Sequence, residues 1–126
     1  MSPQKVILIV DDEWMLVETI SFHIQRAGYE TAKAMDGEDG LRQALELKPS
    51  LLILDVMLPH LSGWDICRQL RSSPEFGAEV PILMMSARGQ PEDRADSLAA
   101  GANDFLSKPF GMQDLLAKVR SLLPDD

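Results

Sequence analysis

Val6-Ile7-Leu8-Ile9-Val10-Asp11-Asp12 is the stretch on which the fold turns. Five apolar residues, four of them β-branched, run without a polar break and stop at two acids. A half-buried strand alternates apolar and polar positions, so an unbroken short run reads as a strand covered on both faces. Working outward, residues 13–27 predict a helix, with Leu16, Ile20, His23, Ile24 and Ala27 on one stripe and Gly28 as the stop. Residues 29–34 form a weaker strand. A second helix opens at Asp36 or Gly37, carries Leu41, Ala44, Leu45 and Leu47 as apolar positions, and closes at Lys48-Pro49. Residues 51–54 are another buried strand, ending at Asp55. After a loop over 59–63, Ser62 caps a helix running to about Ser73. Residues 80–85 make a fourth strand, and a loop through Gly89 and Pro91 leads to a helix ending near Ala100-Gly101. Residues 103–106 make a fifth strand. The last helix carries Leu115, Leu116, Val119, Leu122 and Leu123 on one face, and Pro124 ends it. Five strands alternating with five helices predict an α/β fold, a parallel sheet doubly wound with helices on both faces.

Composition sets the outer bounds. The chain has 126 residues, 45% hydrophobic and 25% charged, which fits one globular domain over 1–126. Its longest unbroken apolar run is the opening strand, far short of a spanning helix, so no membrane association is expected. The one cysteine, Cys67, has no partner for an internal disulfide, and no Cys/His cluster has zinc-ligand spacing. A reducing, cytoplasmic location is the simple expectation. The net charge of −8 repels a phosphate backbone, so no nucleic acid binding is expected of this chain alone.

The polar residues fall where an open parallel sheet places ligands, at the carboxyl ends of its strands. The first strand runs into Asp11-Asp12, the third into Asp55, the fourth into Ser86 and the fifth into Ser107-Lys108. In a parallel sheet in register these ends converge. Three carboxylates in one pocket repel, and a hard cation such as Mg²⁺ relieves that repulsion. A lysine and a hydroxyl beside the cluster could hold the oxygens of a phosphoryl group. Singly, each has a plainer reading: a solvated strand end, a helix cap at Asp12, a turn residue at Ser86, a surface charge at Lys108. Together they would be four coincidences at four strand ends.

Asp11-Asp12, Asp55 with Pro59 and Gly63 following, Ser86-Ala87 and Lys108-Pro109-Phe110 together resemble the receiver domain of bacterial two-component response regulators. The resemblance covers essentially the whole chain. It implies a flavodoxin-like five-stranded sheet in the order 2-1-3-4-5. It also implies that Asp55 is the phosphoacceptor, serving a sensor histidine kinase or a histidine phosphotransfer protein. Asp12 and Asp55 would ligate Mg²⁺ directly, Asp11 largely through a water, and the backbone carbonyl of Met57 would complete the protein ligands. Lys108 would pair with the phosphoryl oxygens, and Ser86 would hydrogen-bond one of them. Lys108-Pro109 matches the family's cis peptide, and Phe105 falls at its aromatic switch position. The domain would regulate a partner rather than act as an enzyme, catalysing only its own phosphorylation and dephosphorylation.

Some positions depart from the commonest family pattern. Trp14 stands where a small residue or proline is frequent, which would place a large ring at the pocket mouth. Phe105 replaces tyrosine, so it can switch by burial but not through a hydroxyl. Met57 and Arg88 occupy the positions that tune loss of the acyl phosphate. His60 reads as a surface loop residue, Cys67 as a buried or half-buried helix residue, and Phe105 as at least partly core. Two other classes share parts of this pattern, but the chain lacks a defining feature of each. An aspartate-nucleophile phosphatase of the haloacid-dehalogenase type needs a second acid two residues after its nucleophile, where Met57 stands. A flavodoxin needs a Ser/Thr/Gly-rich phosphate loop after the first strand, where Asp-Asp-Glu-Trp stands. Arg94, Asp104, Asp114 and Lys118 resemble the charges of receivers that dimerise through helix 4, strand 5 and helix 5.

Overall fold

The computed structural model describes residues 5–87 and 90–123. Its strands are β1 (Val6–Val10), β2 (Glu30–Ala34), β3 (Leu51–Asp55), β4 (Ile82–Ser86) and β5 (Asp104–Ser107). They alternate with α1 (Trp14–Arg26), α2 (Gly37–Leu47), α3 (Gly63–Arg71), α4 (Pro91–Ala100) and α5 (Met112–Leu122). The strands form one sheet in the order β2-β1-β3-β4-β5, and every neighbouring pair is parallel.

The apolar runs of β1, β3 and β4 are continuous because each of these strands feeds two cores. Leu8, Val10, Leu52, Leu54, Ile82 and Met84 pack on one face, against residues of α2, α3 and α4 such as Ala44, Ile66, Leu70 and Ala100. Ile7, Ile9, Leu51, Ile53, Leu83 and Met85 pack on the other, against Val17, Ile20 and Ile24 of α1 and Leu115 and Val119 of α5. Every residue of β3 and β4 is buried. Burial of such a side chain contributes roughly 1.5–3 kcal/mol, so the central strands hold the sheet together.

Local signals fix the helix ends. Asp36 caps α2 by accepting from the Asp39 amide at 2.8 Å, and Ser62 caps α3 by accepting from the Asp65 amide at 3.2 Å. Gly28 and Gly101 follow α1 and α4 with φ of 105° and 113°, the left-handed region where a Cβ is penalised. The expected ends hold within a few residues, with two corrections inside the elements. Leu47 is exposed rather than part of the α2 stripe, and the buried face of α1 is Val17, Ile20, Ser21 and Ile24, with Leu16, His23 and Ala27 only half-buried. β4 starts at Ile82 rather than residue 80 and runs to Ser86. Pro81 has no amide to give a ladder, although its carbonyl accepts from Leu52 at 3.0 Å. Gly89, Pro124 and Arg88 lie outside the described residues.

Candidate functional site

The parallel register brings the strand ends to one edge of the sheet. Val10 sits beside Leu54, and Asp55 beside Met85, so Asp11, Asp55 and Ser86 leave the sheet at nearly one level. Met85 and Ser86 are flanked in turn by Leu106 and Ser107, which puts Lys108 next to the same edge. Two loop contacts tighten the group: the Val56 amide donates to the Met85 carbonyl at 2.8 Å, and the Lys108 amide to the Ser86 carbonyl at 2.8 Å. The Lys108–Pro109 peptide is cis, as expected.

Gly63 carries a packing constraint that only a glycine satisfies. A Cβ there would stand 2.2 Å from the Asp55 carbonyl oxygen. The first residue of α3 therefore rests directly on the Asp55 backbone, with the Gly63 amide donating to the Val56 carbonyl at 2.9 Å.

Asp11, Asp12 and Asp55 each present a carboxylate oxygen, and these oxygens lie within 4.8 Å of one another. Asp11 is fully buried. One of its oxygens accepts from the Glu13 amide at 2.9 Å and the other from Lys108 Nζ at 2.8 Å. Asp12 is exposed to solvent. Asp55 is 3% exposed; its Oδ2 lies 3.6 Å from Lys108 Nζ, and its Oδ1 is buried without a hydrogen-bond partner. Lys108 Nζ also donates to Glu13 at 3.0 Å, a contact absent from the residues expected of the site.

The electrostatics follow from that arrangement. Burial, and then repulsion by Asp11, push the Asp55 carboxyl up to about 6, against the pull of Lys108 and the Met57 backbone amide. Burial also raises Asp11, outweighing its bonds from Lys108 and Glu13. Burial works to lower Lys108, but its bonds to Asp11 and Glu13 prevail and raise it. One ammonium thus lies beside Asp11, Glu13 and Asp55, with Asp12 adding a further negative charge to the cluster. The orphaned Asp55 oxygen and the open Asp12 side chain fit a hard divalent cation, which takes carboxylate oxygens and waters.

Ser86 is fully buried at the end of β4. The Met57 side chain is exposed on the loop after β3. Phe105 is only 7% exposed and packs in the core with Met84 and Ala100. A switch of Phe105 by burial therefore has little further burial to gain, because the ring is already inside. Trp14 is 61% exposed, and the cavity of about 410 Å³ beside Lys108 is lined by Glu13, Leu16, Ala87, Lys108, Pro109 and Phe110 instead. Cys67 is buried, and burial pushes its thiol up. His60 is exposed, with φ of 70°.

The structure is thus a parallel doubly wound sheet with an acidic cluster and a lysine at its carboxyl edge. The family model of the response regulator receiver domain matches residues 7–120, and the chain belongs to that family. It is 41% identical over 117 residues, 93% of this chain, to the DNA-binding dual master transcriptional regulator RpaA of Synechocystis, of which the match covers 48%. The chain spans about half the length of the curated relatives it matches. The Vibrio cholerae chemotaxis protein CheY4 superposes with a TM-score of 0.89 at 30% identity, covering 96% of this chain and 100% of that one. The receiver domain of the sensor histidine kinase PA1611 of Pseudomonas aeruginosa, solved with magnesium in its active site cleft, superposes with a TM-score of 0.86 at 30% identity, covering 96% and 98%. The chain is thus a receiver domain of two-component signalling, a regulator rather than a conventional enzyme, and neither the phosphatase nor the flavodoxin alternative is supported.

Proposed function

We propose that Asp55 is the phosphoacceptor, taking a phosphoryl group from a histidine kinase or a histidine phosphotransfer protein. The observation that carries this reading is the Asp55 carboxylate: buried at a strand end, one oxygen without a partner, the other 3.6 Å from a lysine. An Asp55 oxygen attacks phosphorus, the new P–O bond forms as the P–N bond to the donor imidazole breaks, and that imidazole nitrogen keeps the bonding electron pair. Lys108 neutralises oxygens of the arriving group, and the Ser86 hydroxyl donates to one of them. Asp12 and Asp55 would hold Mg²⁺ with the Met57 carbonyl, while Asp11, both of whose oxygens already accept hydrogen bonds, would act through water. A cation held there would supply the charge neutralisation that lets an anion approach the carboxylates.

The domain 1–126 works in the cytoplasm as one unit, and its own chemistry ends with gain and loss of the acyl phosphate. The exposed Trp14, Met15 and Phe22 on α1 offer an apolar stripe to the phosphodonor. The output surface is α4, β5 and α5. There Lys118 pairs with Asp104 at 3.0 Å and Arg94 with Asp104 at 3.8 Å within the chain, and re-pairing of these charges between copies would support a homodimer. No nucleic acid contact is assigned to a chain of net charge −8. Intact mass after incubation with acetyl phosphate tests the acceptor. Wild type gains one phosphoryl group when Mg²⁺ is present, and Asp55→Asn gains none. Equal uptake by the two proteins would overturn the assignment.

A further inference from the structure

α4 turns polar residues, not leucines, toward the core. Its buried positions are Asp93, Ser97 and Ala100, at spacings of four and three, while Leu98 is 42% exposed. Asp93 and Ser97 are both fully buried. A buried carboxylate is costly unless it is hydrogen-bonded, and packing alone would favour an aliphatic side chain at either place. The polar face is explained by what it touches. The Ser86 hydroxyl donates to Asp93 Oδ2 at 3.3 Å. One turn along the helix, Trp64 Nε1 of α3 donates to Ser97 Oγ at 2.9 Å.

We propose that Asp93 is a positioning residue that holds the Ser86 hydroxyl toward α4 in the unphosphorylated domain. This deepens the reading of Asp55 as phosphoacceptor and rests on it. A serine hydroxyl has one proton to donate. It serves Asp93 or a phosphoryl oxygen, so the two are competing acceptors. Phosphorylation of Asp55 therefore breaks the Ser86–Asp93 bond and frees α4 at its first turn, close to the Trp64–Ser97 bond on the same buried face. Phe105, already buried, need not supply the driving force.

Beryllofluoride with Mg²⁺, a stand-in for the phosphoryl group, provides the test. The chain has two tryptophans, and a Trp14→Phe background leaves Trp64 as the single indole. Affinity is measured for that protein, Asp93→Ala, Ser86→Ala and the double variant. Removing the competing acceptor in Asp93→Ala is expected to tighten binding by about five-fold, the scale of one hydrogen bond. In the Ser86→Ala background the same change is expected to have no effect, a coupling that a merely structural role for Asp93 would not produce. Trp64 emission is expected to shift on binding when Ser86 is present and to stay unchanged in Ser86→Ala. Should Asp93→Ala fail to fold, Asp93→Asn, which keeps a weaker acceptor, is expected to give a smaller tightening. Weaker binding, or an equal effect in both backgrounds, overturns the assignment of Asp93 while leaving Asp55 as acceptor. Failure of every folded protein, parent included, to bind beryllofluoride overturns both.

Discussion

Two residues set the chemistry and the shape of the site. Asp55 holds its proton more tightly folded than unfolded, because burial and Asp11 push its carboxyl from 3.8 to about 6. Below about pH 4 the group is protonated in both states and has no effect on stability. As pH rises through that window the unfolded chain releases the proton first, so stability falls, and above about pH 6 the full cost, about 3 kcal/mol at most, is present. Without divalent cation, Asp55→Asn is therefore expected to gain stability over wild type steadily from pH 4 to pH 6 in urea titrations; a difference that stays flat would contradict the strain. Gly63 is the second such residue. A Cβ there would collide with the Asp55 carbonyl at 2.2 Å, so Gly63→Ala is expected to lower stability by about 1–3 kcal/mol, measured by thermal unfolding, and to slow phosphoryl uptake as the Asp55 loop shifts. Asp11-Asp12, Asp55 and Ser86 were legible in sequence because each ends an apolar run, and Lys108 because it lies just past the short fifth strand. Asp93 was not, because it sits inside a helix, although its spacing to Ser97 and Ala100 held a signal: small and polar residues stand where an apolar stripe belongs.

At the scale of elements, unbroken apolar runs located β1, β3 and β4, because both faces of the sheet are covered there and burial forbids polar interruptions, whereas β2, with Glu30 and Lys33 exposed, and the short β5 gave weaker signals. Helix faces were harder to read. In α1, Ser21 points inward because its hydroxyl pairs with that of Thr31 at 2.6 Å, a tertiary contact that periodicity cannot show. Leu47 reads as apolar stripe yet is exposed, since α2 ends one residue later in a left-handed Lys48. Caps were better signalled. The Ser62 hydroxyl accepts from the Asp65 amide at the start of α3, the helix that rests on Asp55. Ser62→Ala is expected to cost about 1 kcal/mol of stability in urea unfolding. A loss near zero would mean that the Gly63–Val56 bond alone fixes that end.

For the whole molecule, two packed cores make a rigid frame, and the carboxylate cluster on its edge is the place where charge is left unbalanced. Binding of Mg²⁺ there links ligand to global stability. At about 100 times its dissociation constant, a ligand that binds only the folded state adds about 2.7 kcal/mol. Mg²⁺ is expected to raise the thermal midpoint of wild type, and Asp12→Ala to lose most of that rise; a full Mg²⁺ response in Asp12→Ala would remove Asp12 from the ligands. The acceptor itself is tested most directly by locating the phosphoryl group. After acetyl phosphate and Mg²⁺, borohydride reduces an aspartyl phosphate to a distinct, stable mass at its own position, and peptide sequencing by mass spectrometry reads where it lies. The expected result is modification at residue 55 alone. Modification at Asp11, at Asp12 or at another acid, with residue 55 unchanged, would contradict the reading of this site.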